Sequence, residues 1–197
     1  MYEFTDTEMK VLTRRMVQAF SKLKKKSILA FDNMNALKKA VDDCYKECLE
    51  SILVSYTRIA KHYCKEACGD DEIIDLIWIE HFLGGLDPVT KYIFTTEADR
   101  KRARAFESIA VSRDVSEVDT ALKLYHRQVK QWADNITDAA TLEGYMEAGI
   151  KEVKWKTEED ARVCKECGER NDVVYPIKSV PDKPHPNCRC YLLPVRP

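Results

Sequence analysis

Within the last 34 residues of the chain, Cys164-Lys165-Glu166-Cys167-Gly168 is followed by His185-Pro186-Asn187-Cys188-Arg189-Cys190. Five thiol or imidazole donors fall in one short segment, and a tetrahedral zinc site needs four. In C-x-x-C-G the two thiolates can reach one metal from a tight turn. The glycine after the second cysteine is expected at positive φ, so that backbone N–H groups face the sulfurs. Pro184 and Pro186 fix φ on either side of His185 and stiffen the second half of the motif. A disulfide needs an oxidising compartment, which nothing else in the sequence suggests. A redox C-x-x-C should follow a strand in a βαβ unit, whereas here residues 157–162 read as the start of a helix. Structural zinc is therefore the expected cofactor.

Five candidates compete for four places: Cys164, Cys167, His185, Cys188 and Cys190. The simplest closed site uses Cys164/Cys167 and His185/Cys188, with Cys190 as the substitute. An extended path through Cys188-Arg189-Cys190 is expected to point its two thiols in opposite directions.

At 197 residues, with 45% hydrophobic and 33% charged side chains, the chain can build one ordinary domain or a helical domain with a small appendage. Its net charge of −1 gives no global field to recruit nucleic acid or an anionic membrane. The N-terminus lacks the basic and apolar regions of a signal peptide. No apolar run approaches 18 residues; the best, from Ile73 to Leu83, is broken by Asp75, Glu80 and His81. A non-membrane, cytosol-side protein with reduced cysteines is the expectation.

The pattern before residue 150 is helical. Thr5-Asp6-Thr7-Glu8 has capping-box spacing, and Met9, Leu12, Met16, Phe20 and Leu23 recur at helical intervals. A long helix should begin near Asp32 or Asn33 and stop at Gly69, with the seam Leu37, Val41, Cys44, Cys48, Ile52, Tyr56, Ile59, Tyr63 packed lengthwise on another helix. Cys44, Cys48, Cys64 and Cys68 form two i,i+4 pairs on it and read as core rather than as ligands. A third helix is expected from Asp70 or Asp71 to Gly84-Gly85, then a turn at Leu86-Asp87-Pro88 and a β-prone run from Val89 to Phe94. Thr96 with Asp99 should cap the next helix, which carries Arg100, Lys101, Arg102 and Arg104. Ser116-Glu117-Val118-Asp119 should start another, with Val118, Leu122, Tyr125, Val129, Trp132 and Ile136 on its core side. A separate last helix is expected over 141–148, ending at Gly149.

From about 150 the pattern changes. Val153 and Trp155 alternate with lysines, and residues 173–175 and 190–193 suggest two further strands. The fold class is thus mainly α: a helical body over 1–149 and a small C-terminal zinc-stapled β module over 150–197. Such a module has too little core to stand alone, and a metal would supply the missing stability. Asp160 reads as a local cap for the turn carrying Cys164.

No nucleotide cradle, esterase elbow or H-E-x-x-H motif occurs, and the H-x-E of zinc deaminases is not met at His185. His62, His81 and His126 share no spacing and read as packed or surface side chains. A saturated Cys/His site leaves no position for water, so no enzymatic activity is expected.

Residues 153–167 and 184–194 resemble the C-terminal module of tailed-phage minor head proteins, the phage Mu protein F-like and SPP1 gp7-like head morphogenesis family. The resemblance rests on Trp155, Thr157, Asp160 four residues before the C-x-x-C, and the H-P-x-C-R-C ending. Residues 87–94 and 97–104 also look like segments of such proteins, so it spans roughly 70–195. It implies a virion component of few copies around the portal, in the capsid interior at the portal vertex. Its partners would be the portal protein and other capsid proteins, and it would support head morphogenesis, DNA packaging or delivery after assembly in the host cytoplasm. Many relatives are longer; a chain ending at Pro197, soon after the motif, is expected to be purely structural. The alternative function is a zinc-module nucleic-acid-binding protein. There Arg100, Lys101, Arg102, Arg104, Lys183, Arg189 and Arg196 would contact phosphates of packaged DNA, and Tyr175 or Tyr191 would stack on bases.

Overall fold

A computed structural model describes residues 2–69, 96, 98–158, 160–185 and 188–196. The described chain is mainly helical, with a small three-stranded antiparallel sheet near the C-terminus. Four helices form the body: α1 (Glu3–Ala30), α2 (Met34–Cys68), α3 (Ala98–Ser112) and α4 (Val115–Glu147). The helix expected near Asp70 to Gly85, the turn at Leu86 to Pro88 and the β-prone run to Phe94 lie outside the described residues.

α1 and α2 form an antiparallel hairpin through the link 31–33. The Asn33 side chain accepts from the Ala36 N–H at 3.1 Å and caps α2, and Gly69 ends it at φ +76°, its N–H bonded to the Lys65 carbonyl. At φ > 0 a side chain would be strained, which is why glycine stands there. Ion pairs from Lys22 to Glu47 and from Lys26 to Asp43 set the hairpin register. Lys24 with Asp119 and Lys130 with Asp6 set α4 antiparallel to α1. The whole predicted seam from Leu37 to Tyr63 is buried, and its partner is within the chain: α1 on one side, α4 on the other. Cys44, Cys48 and Cys64 are buried in that core, as expected of small hydrophobes.

Three local expectations fail. The capping box at Thr5 is not used: α1 starts at Glu3, and Thr5 lies buried inside it, sharing a 2.6 Å hydrogen bond with Thr137 Oγ1. α4 starts one residue early, because Asp114 is a better acceptor for the free Ser116 N–H. The separate helix over 141–148 is the last part of α4. No glycine or proline interrupts 137–140, and Thr137 and Thr141 return their hydroxyls to the carbonyls of Ala133 and Thr137. Gly149, at φ +74°, ends the helix as expected.

α2 and α4 are in close contact at Gly144, where an added Cβ would lie 2.5 Å from the Cys64 carbonyl oxygen. Strand β1 (Glu152–Lys156) follows, then α5 (Lys165–Arg170), β2 (Val174–Pro176), a 3-10 turn (Ile177–Ser179) and β3 (Tyr191–Pro194). The strand order is β2-β1-β3, with Val153 opposite Tyr175 and Trp155 opposite Leu192. Val153 and Ile177 pack against Tyr145 at the end of α4; Trp155 turns instead toward the cysteines.

Candidate metal centre

The metal candidates come from two segments that the sheet brings face to face. Cys164 is the N-cap of α5: its Sγ accepts the Cys167 N–H at 3.4 Å. Residues 157–162 do not begin a helix. Asp160 makes a turn there instead, and the helix starts after Cys164. Gly168 lies within α5 and has no positive φ, so the expected glycine turn is replaced by the first turn of a helix whose free N–H groups face the thiols.

All five candidates meet. They fall into two overlapping triads, Cys164/Cys167/His185 and Cys167/Cys188/Cys190, and within each triad the donor atoms lie within 4.8 Å of one another. Cys167 belongs to both. Its Sγ is 3.5 Å from Cys188 Sγ and 3.5 Å from His185 Nε2. Two thiolates on one tetrahedral zinc, with bonds of about 2.3 Å, stand about 3.8 Å apart. The thiols are therefore near the spacing of ligands, and far beyond the ~2.05 Å of a disulfide. A cavity of about 30 Å³ is lined by all five donors, room for one ion and little else.

Cys188 and Cys190 do not point apart. Both are buried and both face Cys167. Positions i and i+2 of an extended segment share a face; Arg189 between them reaches Asp160 beside the same cavity.

The electrostatics favour a cation at the centre. Burial pushes the Cys167 thiol well above its ordinary value, and the neighbouring thiols push it further; Cys190 is raised chiefly by burial. Cys164 is lowered, because the Cys167 N–H bonds its sulfur. Packed thiols of this kind resist ionisation until a metal ion supplies the compensating charge. Trp155 is buried in one cluster with Cys167, Cys188 and Cys190, and its Nε1–H has no hydrogen-bond partner among the described residues. The donor set thus fits a thiophilic divalent ion.

The basic candidates are not brought together. Arg102 pairs with Asp99 and with Asp42 in the first third of α2, whereas Arg189 pairs with Asp160 beside the cysteines. From Asp42 to Cys64, at the module end of α2, is roughly 30 Å at 1.5 Å per residue. Lys183 is held by Asp138 at 2.6 Å and lies over the Tyr2 ring, which removes it from a phosphate surface. His62 stacks on Phe4 and His126 Nε2 lies 2.6 Å from Thr13 Oγ1, both in packing roles; His81 lies outside the described residues. Among the described residues, the four helical cysteines join no cluster of three ligands.

The sequence assigns no role to Tyr2, Asp138 or the Trp155 indole, and it does not show that Lys183 and Arg189 have the carboxylates of Asp138 and Asp160 as partners. Compared with known proteins, the chain matches no family model, and no curated protein or solved structure shows significant similarity to it. Among the described residues, no helix is long and apolar enough to cross a membrane.

Proposed function

We propose that this chain is a minor head protein of a tailed phage, docking on the portal through its helical body and carrying a structural zinc ion in its C-terminal module. The observation behind this is the ligand pattern C-x-x-C…H-P-x-C-R-C, whose donors converge on one ion-sized cavity in a small sheet at the end of a long helical bundle. Zinc, when bound, would supply the strong bonds that a sheet of three short strands lacks. Cys167 is shared by the two donor triads, and a fourth ligand drawn from the other triad would saturate the ion and leave no water to activate, which favours a scaffold role over catalysis.

The nucleic-acid reading has less behind it. Three of the seven charges it needs are engaged in ion pairs: Arg102 with Asp42, Lys183 with Asp138, Arg189 with Asp160. Packaged DNA remains a neighbour of any protein at the portal rather than its main ligand.

Native mass spectrometry of the purified chain, alone and mixed with the portal protein of the same phage, tests the proposal. One zinc per chain and a portal complex of fixed stoichiometry are expected, along with the protein's presence in purified virions. Absence from virions would refute the head-protein assignment; a metal-free chain would refute the zinc.

A further inference from the structure

Asp160 and Arg189 are 29 residues apart, and each belongs to one of the two ligand-bearing segments. Arg189 sits between Cys188 and Cys190 and is among the residues that line the small cavity of the donors. Its Nη2 donates to both carboxylate oxygens of Asp160, at 2.6 and 2.7 Å. Asp160 in turn shapes the path into Cys164. Its Oδ1 accepts the Arg162 N–H at 2.9 Å, and its carbonyl accepts the Val163 N–H at 3.1 Å. The Arg162 guanidinium adds a weaker contact at 3.2 Å. One carboxylate thus fixes a turn in the first segment and grips the guanidinium that divides the second. Neither residue is within either donor triad.

We propose that Asp160 and Arg189 are positioning residues that clamp the Cys164–Cys167 and His185–Cys190 segments at ligand spacing and so set the affinity and geometry of the metal site. The inference rests on the metal reading above. At the exposure of this pair, with side chains 34% and 38% accessible, the ion pair itself adds little to stability. Its effect is on geometry. Without it, the 160–163 turn and the Cys-Arg-Cys segment lose this direct side-chain tie, and the ion must do more of the ordering. Outer groups of this kind usually govern metal affinity by about 10- to 100-fold. A lysine at 189 could pair with Asp160 through one ammonium but could not reproduce the span of the guanidinium.

The test uses the full chain and four variants: Asp160→Asn, Arg189→Gln, Arg189→Lys and the double Asp160→Asn/Arg189→Gln. Zinc affinity is read by competition with a chromophoric chelator, and site geometry from the visible spectrum of the cobalt-substituted protein at saturation. The single neutral variants should bind zinc 10- to 100-fold more weakly and show an altered cobalt spectrum, with helix content unchanged. Arg189→Lys should fall between them and the parent, and the double variant should lose little more than the weaker-binding single, because both residues act through one contact. Equal zinc affinity and identical spectra throughout, or losses that simply add in the double variant, would overturn the clamp while leaving the metal site standing. A parent that binds neither ion would overturn the metal reading and the clamp with it.

Discussion

The Tyr2 hydroxyl donates to Asp138 Oδ1 at 2.6 Å across 136 residues of sequence, joining the first turn of α1 to the last third of α4. The same hydroxyl lies 3.1 Å from the Cys190 carbonyl, and Lys183 completes the group by pairing with Asp138 Oδ2 and contacting the phenol. One half-buried polar node therefore ties the start of the chain, the long helix and the metal-bearing segment. Burial raises Asp138 above the usual carboxylate range, and the Lys183 charge works in the opposite direction.

Tyr2→Phe is expected to lower unfolding stability by about 1–2 kcal/mol, because Asp138 and the Cys190 carbonyl each lose a partner while the Asp138–Lys183 pair survives. Lys183→Met should cost more, about 2 kcal/mol, since it leaves a half-buried carboxylate without its cation. Urea denaturation of both variants gives the comparison. Equal losses would mean that the ion pair adds nothing to the node.

Asp134 lines a cavity of about 570 Å³ between α4 and the module, and burial pushes its pKa up to about 6 against the pull of Lys130 and Lys183. A carboxylate raised in the folded state binds a proton there more tightly than in the unfolded chain. Its contribution to stability is full below about pH 4 and is lost as pH rises through about 6. Asp134→Asn should therefore flatten the pH dependence of Tm between pH 4 and 7 and raise Tm at pH 7. Parallel profiles for parent and variant would show that Asp134 titrates normally.

Cys167 belongs to both donor triads and Cys164 to one. Cys167→Ser should abolish zinc binding and open the segment from about 155 onward to protease, while Cys164→Ser should weaken binding and leave partial protection. The helices should remain in both. Chelation of the parent should reproduce the Cys167→Ser digestion pattern, because the metal contributes most of the module's folding energy. A module equally resistant with and without metal would contradict this.

Gly144→Ala should destabilise the body by about 1–3 kcal/mol, despite alanine's better helix propensity, because overpacking outweighs that gain. The new Cβ would meet the Cys64 carbonyl at 2.5 Å and the Ala67 Cβ at 2.7 Å. Thermal melts of parent and variant decide it; an unchanged or higher Tm would show that α2 and α4 can separate at little cost.

The sequence by itself determined the elements whose signals are local and repeated. The seam from Leu37 to Tyr63 recurs at helical spacing for many turns, so α2 and its buried cysteines follow from periodicity, and Gly69 and Gly149 mark their stops by the positive φ that glycine tolerates. Val153 and Trp155 alternate, so the central strand was legible, and the clustering of five donors announced their meeting. Tertiary structure decided what local signals cannot rank. Thr5 forgoes its capping role because Thr137 offers a buried partner, and α4 runs through 137–140 because Ile136 and Ala140 are buried in the same core as the rest of the helix. Lys183 and Arg189 look like free cations in a string of letters; in space Asp138 and Asp160 lie against them. A charge is available to a ligand only when the fold leaves it unpaired, and pairing across 29 or 45 residues depends on how elements pack, which no short-range pattern encodes.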